Sequence, residues 1–404
     1  MGKNSFAEVA LNPSNPKWNQ SVSRVSELYR KTDDIRSEFA RDFTRILHCN
    51  AYRRLKHKTQ VFFATQNDHI CTRIEHVNHV SSVSQTISQY LGLNTELTSA
   101  IAIGHDLGHA PFGHAGETVI KKIAIDHIGD SFWHERNSLR FVDEIETLPD
   151  SSGRDTNMNL TYAVRDGIVS HCGEVDETGL RPRDMAIDLT EIVKPNQYAP
   201  FSWEACVVKV SDKVAYLGRD IEDAIRIGIL TYSELKKLKQ ISGSPLKEIN
   251  NTIIMHDFIV DLCNSSSPEI GISFSEKHLE LINNIKKFNY ETIYFHPRLE
   301  NYKKYVELVI RSIFESLKVC YNKMETPNVI KSHSKFYPKF SEYFFAWLNK
   351  YSNASTARGE TGRLNNKVIY DMNNERQYHQ AIIDFITAMS DQFAIKSYNE
   401  LTSF

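Results

Sequence analysis

Apolar residues recur every three to four positions over most of the chain, which is the spacing of amphipathic α-helices. One long helix is predicted from about Cys71 to Leu91, where Gly92 ends the apolar stripe. A second is predicted from about Trp203 to Ile229. Lys-rich amphipathic helices follow at about 232–240, 245–264, 276–286, 298–322, 335–350 and 374–400. Only residues 272–275 and 367–370 are typical of short strands, so the pattern predicts an all-α fold with at most minor β-strands.

The distribution of residue types along the chain predicts three regions. Residues 1–30 are rich in Asn, Ser and Pro and are interpreted as an N-terminal arm. Residues 31–230 carry most of the histidines and the two long helices, and they are predicted to form the catalytic core. Residues 231–404 are predicted to form a helical C-terminal region packed on that core.

Composition narrows the class of protein. The chain has 404 residues with 41% hydrophobic and 24% charged residues, which is ordinary for a soluble globular protein. A net charge of −2 gives no overall electrostatic attraction for nucleic acid or an anionic membrane. No stretch approaches the roughly 20 apolar residues of a membrane span, and the six separate cysteines form no Cys-x-x-Cys motif. We therefore expect a cytoplasmic protein with free thiols and no membrane partner.

Candidate metal ligands concentrate in one stretch. Ten of the sixteen histidines lie between positions 48 and 134, and residues 103–117 read Ile-Gly-His-Asp-Leu-Gly-His-Ala-Pro-Phe-Gly-His-Ala-Gly-Glu. Imidazole and carboxylate groups are the ligands that divalent cations accept from proteins. His105 and Asp106 follow an apolar helix, and at a helix end two neighbouring side chains can converge on one ion. This pair is the predicted centre of the site.

Further metal ligands must come from other helices, because one His-Asp pair cannot fill a coordination sphere. His76 lies near the start of the first long helix, and Asp212 lies inside the second. With His105 and Asp106 they would form a set of two histidines and two aspartates with open positions. Such a set suits Mn, Mg, Fe, Co or Zn, with Mn or Mg favoured here.

The order His … His-Asp … Asp resembles the signature of the HD phosphohydrolases. Longer motifs resemble those of the deoxynucleoside triphosphate triphosphohydrolases, the dGTPase family. These motifs are Ala51-Tyr-Arg-Arg-Leu-Lys-His-Lys-Thr-Gln-Val-Phe62, Thr72-Arg-Ile-Glu-His76, His105-Asp-Leu-Gly-His-Ala-Pro-Phe-Gly-His-Ala-Gly-Glu117, Ser211-Asp-Lys-Val-Ala-Tyr-Leu-Gly-Arg-Asp-Ile-Glu-Asp-Ala224 and, more weakly, Phe385-Ile-Thr-Ala-Met-Ser-Asp-Gln-Phe-Ala394. The resemblance extends from about residue 36 to residue 401, and it implies an HD-domain helical bundle with a helical C-terminal extension.

The resemblance also implies catalytic roles. His114 and Glu117 are spaced i, i+3 at the start of a predicted helix, so both lie on one face near the positive helix end. In such a family Glu117 would position water or hold His114, and His114 would move the proton. His109 has the register of a family histidine that faces the α-phosphate.

A second group of residues is predicted to bind substrate. Asp212, Tyr216 and Asp220 are spaced i, i+4, i+8 and form one row on their helix. The resemblance implies that Tyr216 lies against the sugar, that Asp220 accepts a hydrogen bond from its 3′-hydroxyl, and that Lys213 binds phosphate. It also implies substrate contacts for Gln60, Val61, Arg73 and His134. A planar guanidinium such as that of Arg73 suits a phosphate or the face of a base.

The predicted reaction is hydrolysis of a deoxynucleoside triphosphate, with dGTP favoured, to a deoxynucleoside and inorganic triphosphate. The resemblance further implies a homo-oligomer, often a hexamer, and regulation by nucleotides or single-stranded DNA. Two alternatives remain open. The first is another HD phosphohydrolase that acts on nucleoside monophosphates or alarmones, and the second is a non-catalytic nucleotide sensor.

Overall fold

The computed structural model describes residues 4–31, 33–62, 69–172, 179–242, 251–355 and 362–403, and this part of the chain is predominantly helical, which confirms the predicted all-α class. The first nine α-helices are α1 (Trp18–Ser21), α2 (Glu38–His48), α3 (Asn50–Arg54), α4 (Arg73–Leu91), α5 (Thr95–Gly104), α6 (Gly113–Ile128), α7 (His134–Arg140), α8 (Tyr162–Ser170) and α9 (Trp203–Arg226). The later ones are α10 (Tyr232–Ser242), α11 (Asn251–Ser265), α12 (Glu276–Asn289), α13 (Arg298–Lys318), α14 (Thr326–His333), α15 (Pro338–Tyr351), α16 (Glu375–Thr387) and α17 (Asp391–Thr402).

Short elements connect these helices. Two short strands, β1 (Thr147–Pro149) and β2 (Asp155–Asn157), form an antiparallel pair. Single 3₁₀ turns lie at Leu55–His57, Leu189–Glu191 and Lys323–Glu325, and π-helical turns at Phe141–Ile145 and Tyr290–Tyr294.

Some predicted elements differ from the structure. The strands expected at residues 272–275 and 367–370 are wrong, because each segment has a bridging partner at one residue only, at Ile272 and Tyr370. The helix expected over 374–400 is two helices, since the Ser390 side chain accepts from the Phe393 amide and starts α17 there. The first residues of the helix expected over 245–264, up to 250, lie outside the described residues.

The site is built around the hairpin of α4 and α5. Thr72 and Glu75 form a capping box at the start of α4, and Gly92 ends that helix with φ of 85°. The Asn94 side chain then caps α5 and turns the chain back along α4. Helix α9 packs against both α4 and α5, so the start of α4, the end of α5 and the middle of α9 come together.

C-terminal helices complete the same hydrophobic core. Helices α13 and α16 pack on α6, and α17 packs on α13. The inward side chains of α13, Ile310, Ile313 and Phe314 among them, are fully buried in the cluster that contains the apolar residues of α5 and α6. Residues 31–230 and 231–404 therefore share one core, and the boundaries of the three predicted regions remain predictions. No helix of the described chain is long and apolar enough to cross a membrane.

Candidate active site

His105 lies at the end of α5 with its imidazole held in one orientation. Its Nδ1 donates to the carbonyl oxygen of Ala102 at 2.6 Å, so the other ring nitrogen, Nε2, carries the free lone pair. That Nε2 is buried and has no hydrogen-bond partner in the described part of the chain. A histidine fixed by Nδ1 on a backbone carbonyl is the usual arrangement of a metal ligand.

The four predicted metal ligands come together around His105. Asp212 Oδ1 lies 2.9 Å from His76 Nε2 and 3.8 Å from His105 Nε2. Asp106 Oδ2 lies 3.9 Å from His105 Nε2. Atoms that bind one ion at about 2.1 Å lie roughly 3–4 Å apart, so these separations fit a shared divalent cation.

The turn between α5 and α6 sets the direction of the next histidines. A Cβ on Gly108 would lie 2.2 Å from the backbone nitrogen of Ser138, so only glycine lets the turn approach α7 this closely. Asn137 fixes the same point, because its side-chain amide donates to the Gly108 carbonyl at 2.6 Å. Phe112 adopts the left-handed conformation with φ of 65°, and α6 begins immediately after it.

Glu117 gathers three histidines at the start of α6. Its carboxylate lies 3.4 Å from His114 Nδ1 and 3.2 Å from His134 Nδ1, and it also accepts the backbone N–H of His134 at 2.9 Å. His109 Nε2 lies 4.0 Å from the same carboxylate, and the His109 ring stacks on that of His134 with centroids 4.6 Å apart. The carboxylate therefore orients a cluster of imidazoles next to the candidate metal ligands.

A cavity of about 430 Å³ opens beside these groups. Six of the seven predicted substrate contacts line it: Gln60, Val61, Arg73, His134, Tyr216 and Asp220. The seventh, Lys213, is buried and is not part of the wall that the described residues form. One side of the cavity is aromatic and is formed by Tyr290, Tyr294 and Phe295.

Comparisons with known proteins match this arrangement. A family model described as HD domain matches residues 73–217. A deoxyguanosinetriphosphate triphosphohydrolase-like protein of Caldanaerobacter subterraneus subsp. tengcongensis is 32% identical over 392 residues, which cover 97% of this chain and 92% of the relative. Proteins of the same description from Desulfatibacillum aliphaticivorans and Clostridium tetani are 35% and 29% identical, and the matches cover 70% and 98% of this chain and 73% and 94% of those relatives.

This chain belongs to the deoxyguanosinetriphosphate triphosphohydrolase-like family of HD-domain proteins. The resemblance read from the motifs is thereby confirmed, and the chain is an HD-domain phosphohydrolase. The matched HD region begins at Arg73, the first residue of α4, and ends within α9 at Leu217. It therefore contains all four candidate metal ligands.

The electrostatics of this HD-domain site favour ionised carboxylates beside neutral imidazole. Burial opposes the ionisation of Asp106, but the Arg73 guanidinium, 2.5 Å away, and the neighbouring histidines hold its pKa well below the usual value. Burial also opposes the ionisation of Asp212, but its hydrogen bond with His76 lowers the pKa to about 2. Burial lowers the pKa of His105 to about 4, so this ring is neutral and able to bind a cation.

In the Glu117 cluster, the effect of nearby carboxylates on the pKa of His134 exceeds the effect of burial. Burial alone would lower the pKa of His134, but the carboxylates of Glu135 and Glu117 raise it to about 10. Burial would raise the pKa of Glu117, yet the adjoining His134 and His114 hold it well below its usual value. Burial and the nearby Arg73 keep the pKa of His109 well below its usual value. His134 is thus protonated and His109 neutral, and these two imidazole rings stack on each other.

Asp220 has a partner that the sequence did not indicate. The hydroxyl of Tyr294 donates to its carboxylate, and Tyr294 belongs to the π-helical turn after α12. Burial raises the pKa of Asp220 to about 6 although this hydrogen bond favours its ionised form. The Tyr294 hydroxyl thus donates to the same carboxylate that is predicted to accept a hydrogen bond from the 3′-hydroxyl of the sugar.

His171 is a further site residue that the sequence-based prediction omitted. It follows α8 directly and lines the cavity, with its ring centroid 4.8 Å from that of His105. A signal was present, since Gly-Ile-Val-Ser-His at 167–171 repeats the apolar helix end of Ile-Ala-Ile-Gly-His at 101–105. Cys172 and not an aspartate follows His171, so the sequence has no His-Asp pair at this helix end.

Proposed function

We propose that this protein hydrolyses deoxynucleoside triphosphates to a deoxynucleoside and inorganic triphosphate, with dGTP the favoured substrate. One observation carries the proposal: the set His76, His105, Asp106 and Asp212 adjoins the Glu117 histidine cluster at a cavity that has an aromatic side. The names of the relatives, which are described as deoxyguanosinetriphosphate triphosphohydrolase-like, support the choice of substrate.

The donor set fits a divalent cation, with Mn or Mg favoured. His76, His105, Asp106 and Asp212 would hold it, and the cation would polarise a phosphoryl oxygen and lower the pKa of a bound water. Arg73 already contacts Asp106 at the cavity wall, and its guanidinium is positioned to neutralise charge on the phosphate chain.

Proton transfer is assigned to the Glu117 cluster. Glu117 would orient the attacking water or hold His114, whose side chain is 65% exposed and free to move toward the leaving 5′-oxygen. His109 and His134 face the same side of the cavity and would contact the α-phosphate region. Positioned acid–base groups of this kind contribute roughly 10²–10⁴-fold to the rate.

The α9 row supports selection of a deoxyribose. Tyr216 and Asp220 both line the cavity one and two helical turns beyond Asp212. A tyrosine ring against C2′ would exclude a ribose hydroxyl, and Asp220 with Gln60 would receive the 3′-hydroxyl. The Oε1 of Gln60 is buried and has no hydrogen-bond partner among the described residues, which supports a role in ligand binding. Val61 would pack beside the sugar, and Lys213 would act on phosphate only after moving from its buried position.

The proposal extends to the assembly and its regulation. We propose a homo-oligomer, with a hexamer as the state that the family resemblance implies, and a nucleotide or single-stranded DNA as effector. Light scattering of the purified chain measures the assembly, and rates of dNTP hydrolysis with and without each effector measure the regulation.

Product analysis tests the proposed reaction. The purified chain is incubated with each dNTP and each rNTP in the presence of Mn²⁺, and the products are separated by chromatography, with a chelator-treated sample as the control. Release of intact triphosphate from dNTPs alone supports the proposal. Release of orthophosphate or pyrophosphate would indicate another HD phosphohydrolase, and nucleotide binding without turnover would indicate a sensor.

A further inference from the structure

A second cavity, of about 250 Å³, lies between α7, the end of α6, the turn at Leu189–Glu191 and α16. This α7 cavity shares none of its described wall residues with the cavity of the candidate active site. Its volume is just below the roughly 300–1,000 Å³ of sites for drug-sized ligands, so it fits a small molecule. The apolar part of its wall consists of Ala124, Ile128, Phe132, Leu139, Leu189 and Ile383.

The wall of the α7 cavity includes a hydrogen-bond donor that lacks an acceptor. Trp133 is 6% exposed, and its indole Nε1–H is buried without a hydrogen-bond partner among the described residues. A buried donor left unpaired costs free energy, and an indole nitrogen can only donate. A ligand that offers an acceptor such as a keto oxygen at this wall therefore gains the missing hydrogen bond.

The charged groups at the α7 cavity disfavour an anionic ligand. The described wall carries three carboxylates and two guanidiniums, those of Asp130, Asp143, Glu144, Arg136 and Arg140. Each guanidinium is already paired, Arg136 with Asp130 at 2.9 Å and Arg140 with both Glu144 and Asp384. No cation of the described wall is left to neutralise a phosphate group, and burying such a charge without a partner is unfavourable.

Glu144 offers an acceptor at the same cavity. Its Oε2 accepts from Arg140, whereas its Oε1 has no hydrogen-bond partner among the described residues. An alkylammonium ligand would suit this carboxylate but has no acceptor for the indole of Trp133. A planar heterocycle in which a keto oxygen adjoins two N–H groups suits both side chains. Guanine has this edge, with O6 as the acceptor and N1–H and the 2-amino group as donors.

We propose that the α7 cavity binds the guanine base of an uncharged nucleoside, and that its occupation lowers the rate of the reaction at the candidate active site. Deoxyguanosine, the product of the proposed hydrolysis of dGTP, is such a nucleoside. The binding site stands on the wall of the cavity, whereas its use for feedback by the product rests on the proposed function.

Helix α7 connects the two cavities. Trp133 directly precedes His134, whose Nδ1 and backbone N–H contact Glu117. Asn137 lines the α7 cavity, and its side-chain amide donates to the carbonyl of Gly108 in the turn between α5 and α6. A ligand that draws Trp133 toward its own acceptor shifts α7 relative to Glu117 and loosens these contacts. We therefore expect deoxyguanosine to lower kcat without changing KM.

Isothermal titration calorimetry of the full chain with deoxyguanosine tests the site without reference to activity. We expect one molecule bound per chain. Binding should be about tenfold weaker in Trp133→Phe, which lacks the indole N–H, and in Glu144→Gln, which lacks the charge of the acceptor. Deoxyadenosine should also bind about tenfold more weakly, because adenine has an amino group in place of O6 and no N1–H.

Two variants serve as matched controls. Trp347 also has a buried Nε1 without a hydrogen-bond partner in the described chain, and Glu307 also pairs with an arginine four residues away, but neither lines the α7 cavity. Trp347→Phe and Glu307→Gln should bind deoxyguanosine as wild type does. Circular dichroism melts of all four variants check folding. Because Glu144 is partly exposed, Glu144→Gln decides alone if Trp133→Phe is unfolded.

Rates of dGTP hydrolysis with added deoxyguanosine separate this site from the proposed function. Competitive inhibition, or wild-type affinity in every folded cavity variant, would mean that the nucleoside binds in the candidate active site and overturns the α7 cavity as its site. No binding at millimolar concentration, or equal binding of deoxyadenosine, overturns it as well. An unchanged kcat overturns the feedback alone. Binding that the cavity variants weaken, in a chain that hydrolyses no dNTP, supports the site and overturns the proposed reaction.

Discussion

Glu117 is the residue whose substitution should separate metal binding from turnover. Its carboxylate contacts His114 and His134 but none of the atoms that face the candidate cation at His76, His105 and Asp212. Glu117→Gln keeps the size of the side chain and removes the charge that orients these imidazoles. We therefore expect kcat to fall by about 10²-fold or more, with the metal content unchanged.

Steady-state kinetics with the preferred dNTP and metal analysis of the same sample measure this effect. Glu307→Gln is the control, because Glu307 is a partly exposed residue of α13 that pairs with Arg311 far along the chain from the candidate metal ligands. The assigned role of Glu117 is wrong if its variant keeps a rate near that of the wild type.

Asp220 should make stability depend on pH. Its folded pKa is about 6, above the ordinary value of 3.8, because burial penalises the carboxylate. Between these two values the folded state retains a proton that the unfolded state has lost, so stability falls as pH rises through this window. Above pH 6 the full penalty applies, and at about 1.4 kcal/mol per pKa unit the shift from 3.8 to about 6 costs on the order of 3 kcal/mol.

Asp220→Asn removes this penalty and leaves an oxygen to accept from the Tyr294 hydroxyl. We expect the metal-free variant to be more stable than wild type by about 3 kcal/mol at pH 8, with the difference vanishing near pH 4. Urea unfolding at both pH values measures the change. A variant less stable than wild type at pH 8 would contradict the assignment. We also expect the variant to bind dNTPs more weakly than wild type, since a stabilising change at a binding site often reduces function.

At the scale of elements, the first residue of α17 connects two segments of the site. Asp391 accepts the Phe112 amide at 2.8 Å, and its other oxygen accepts the amide and hydroxyl of Thr59 at 3.0 and 2.7 Å. Phe112 precedes α6 with its left-handed backbone, and Thr59 precedes the cavity residue Gln60. The C-terminal helix thus fixes the turn that carries His114.

Asp391→Asn should weaken this connection, because an amide has one acceptor oxygen, whereas the two carboxylate oxygens of Asp391 now accept from three donors. We expect a loss of about 1–3 kcal/mol of stability and a lower kcat, since buried donors remain unpaired. Thermal unfolding and steady-state kinetics measure these effects. Glu375→Gln, at the exposed first turn of α16, is the control and should change neither.

The same contacts explain what could be predicted from the sequence. The periodicity of α4, α5 and α9 and the order of His76, His105–Asp106 and Asp212 depend on local spacing, which a single sequence displays. The hydrogen bonds of Asp391 to Thr59 and of Tyr294 to Asp220 join segments that are distant along the chain. Tertiary proximity of this kind leaves no periodic signal, so these partners could not be found.

Element boundaries failed for a similar reason. The apolar pattern of residues 374–400 continues through Ser390, and only the capping hydrogen bond of that serine shows where one helix ends and the next begins. The apolar pattern does not predict helix α14, since its eight residues are too few to give a clear apolar stripe.

At the scale of the whole molecule, the predicted catalytic core of residues 31–230 depends on the C-terminal region. Lys58 is almost fully buried, and its ammonium group donates to the carbonyl of His109 and, at 2.7 Å, to that of Thr387 at the end of α16. Burial lowers the pKa of this lysine to about 7. The turn that follows the candidate metal ligands His105 and Asp106 is thus held by Lys58, which itself needs a carbonyl of α16 as its partner.

A fragment that ends at residue 230 should therefore fail to fold on its own. It would lose the partners of α6 on α13, where Val309, Ile310, Ile313 and Phe314 are fully buried. Each such side chain contributes about 1.5–3 kcal/mol when buried, and four of them rival the roughly 5–15 kcal/mol by which a domain is stable. We expect the fragment to bind a hydrophobic dye and to unfold without a cooperative transition. The full chain should unfold cooperatively and should not bind the dye. Circular dichroism melts and dye fluorescence measure this difference, and a fragment that unfolds cooperatively and retains Mn²⁺ would show that residues 31–230 form an autonomous domain.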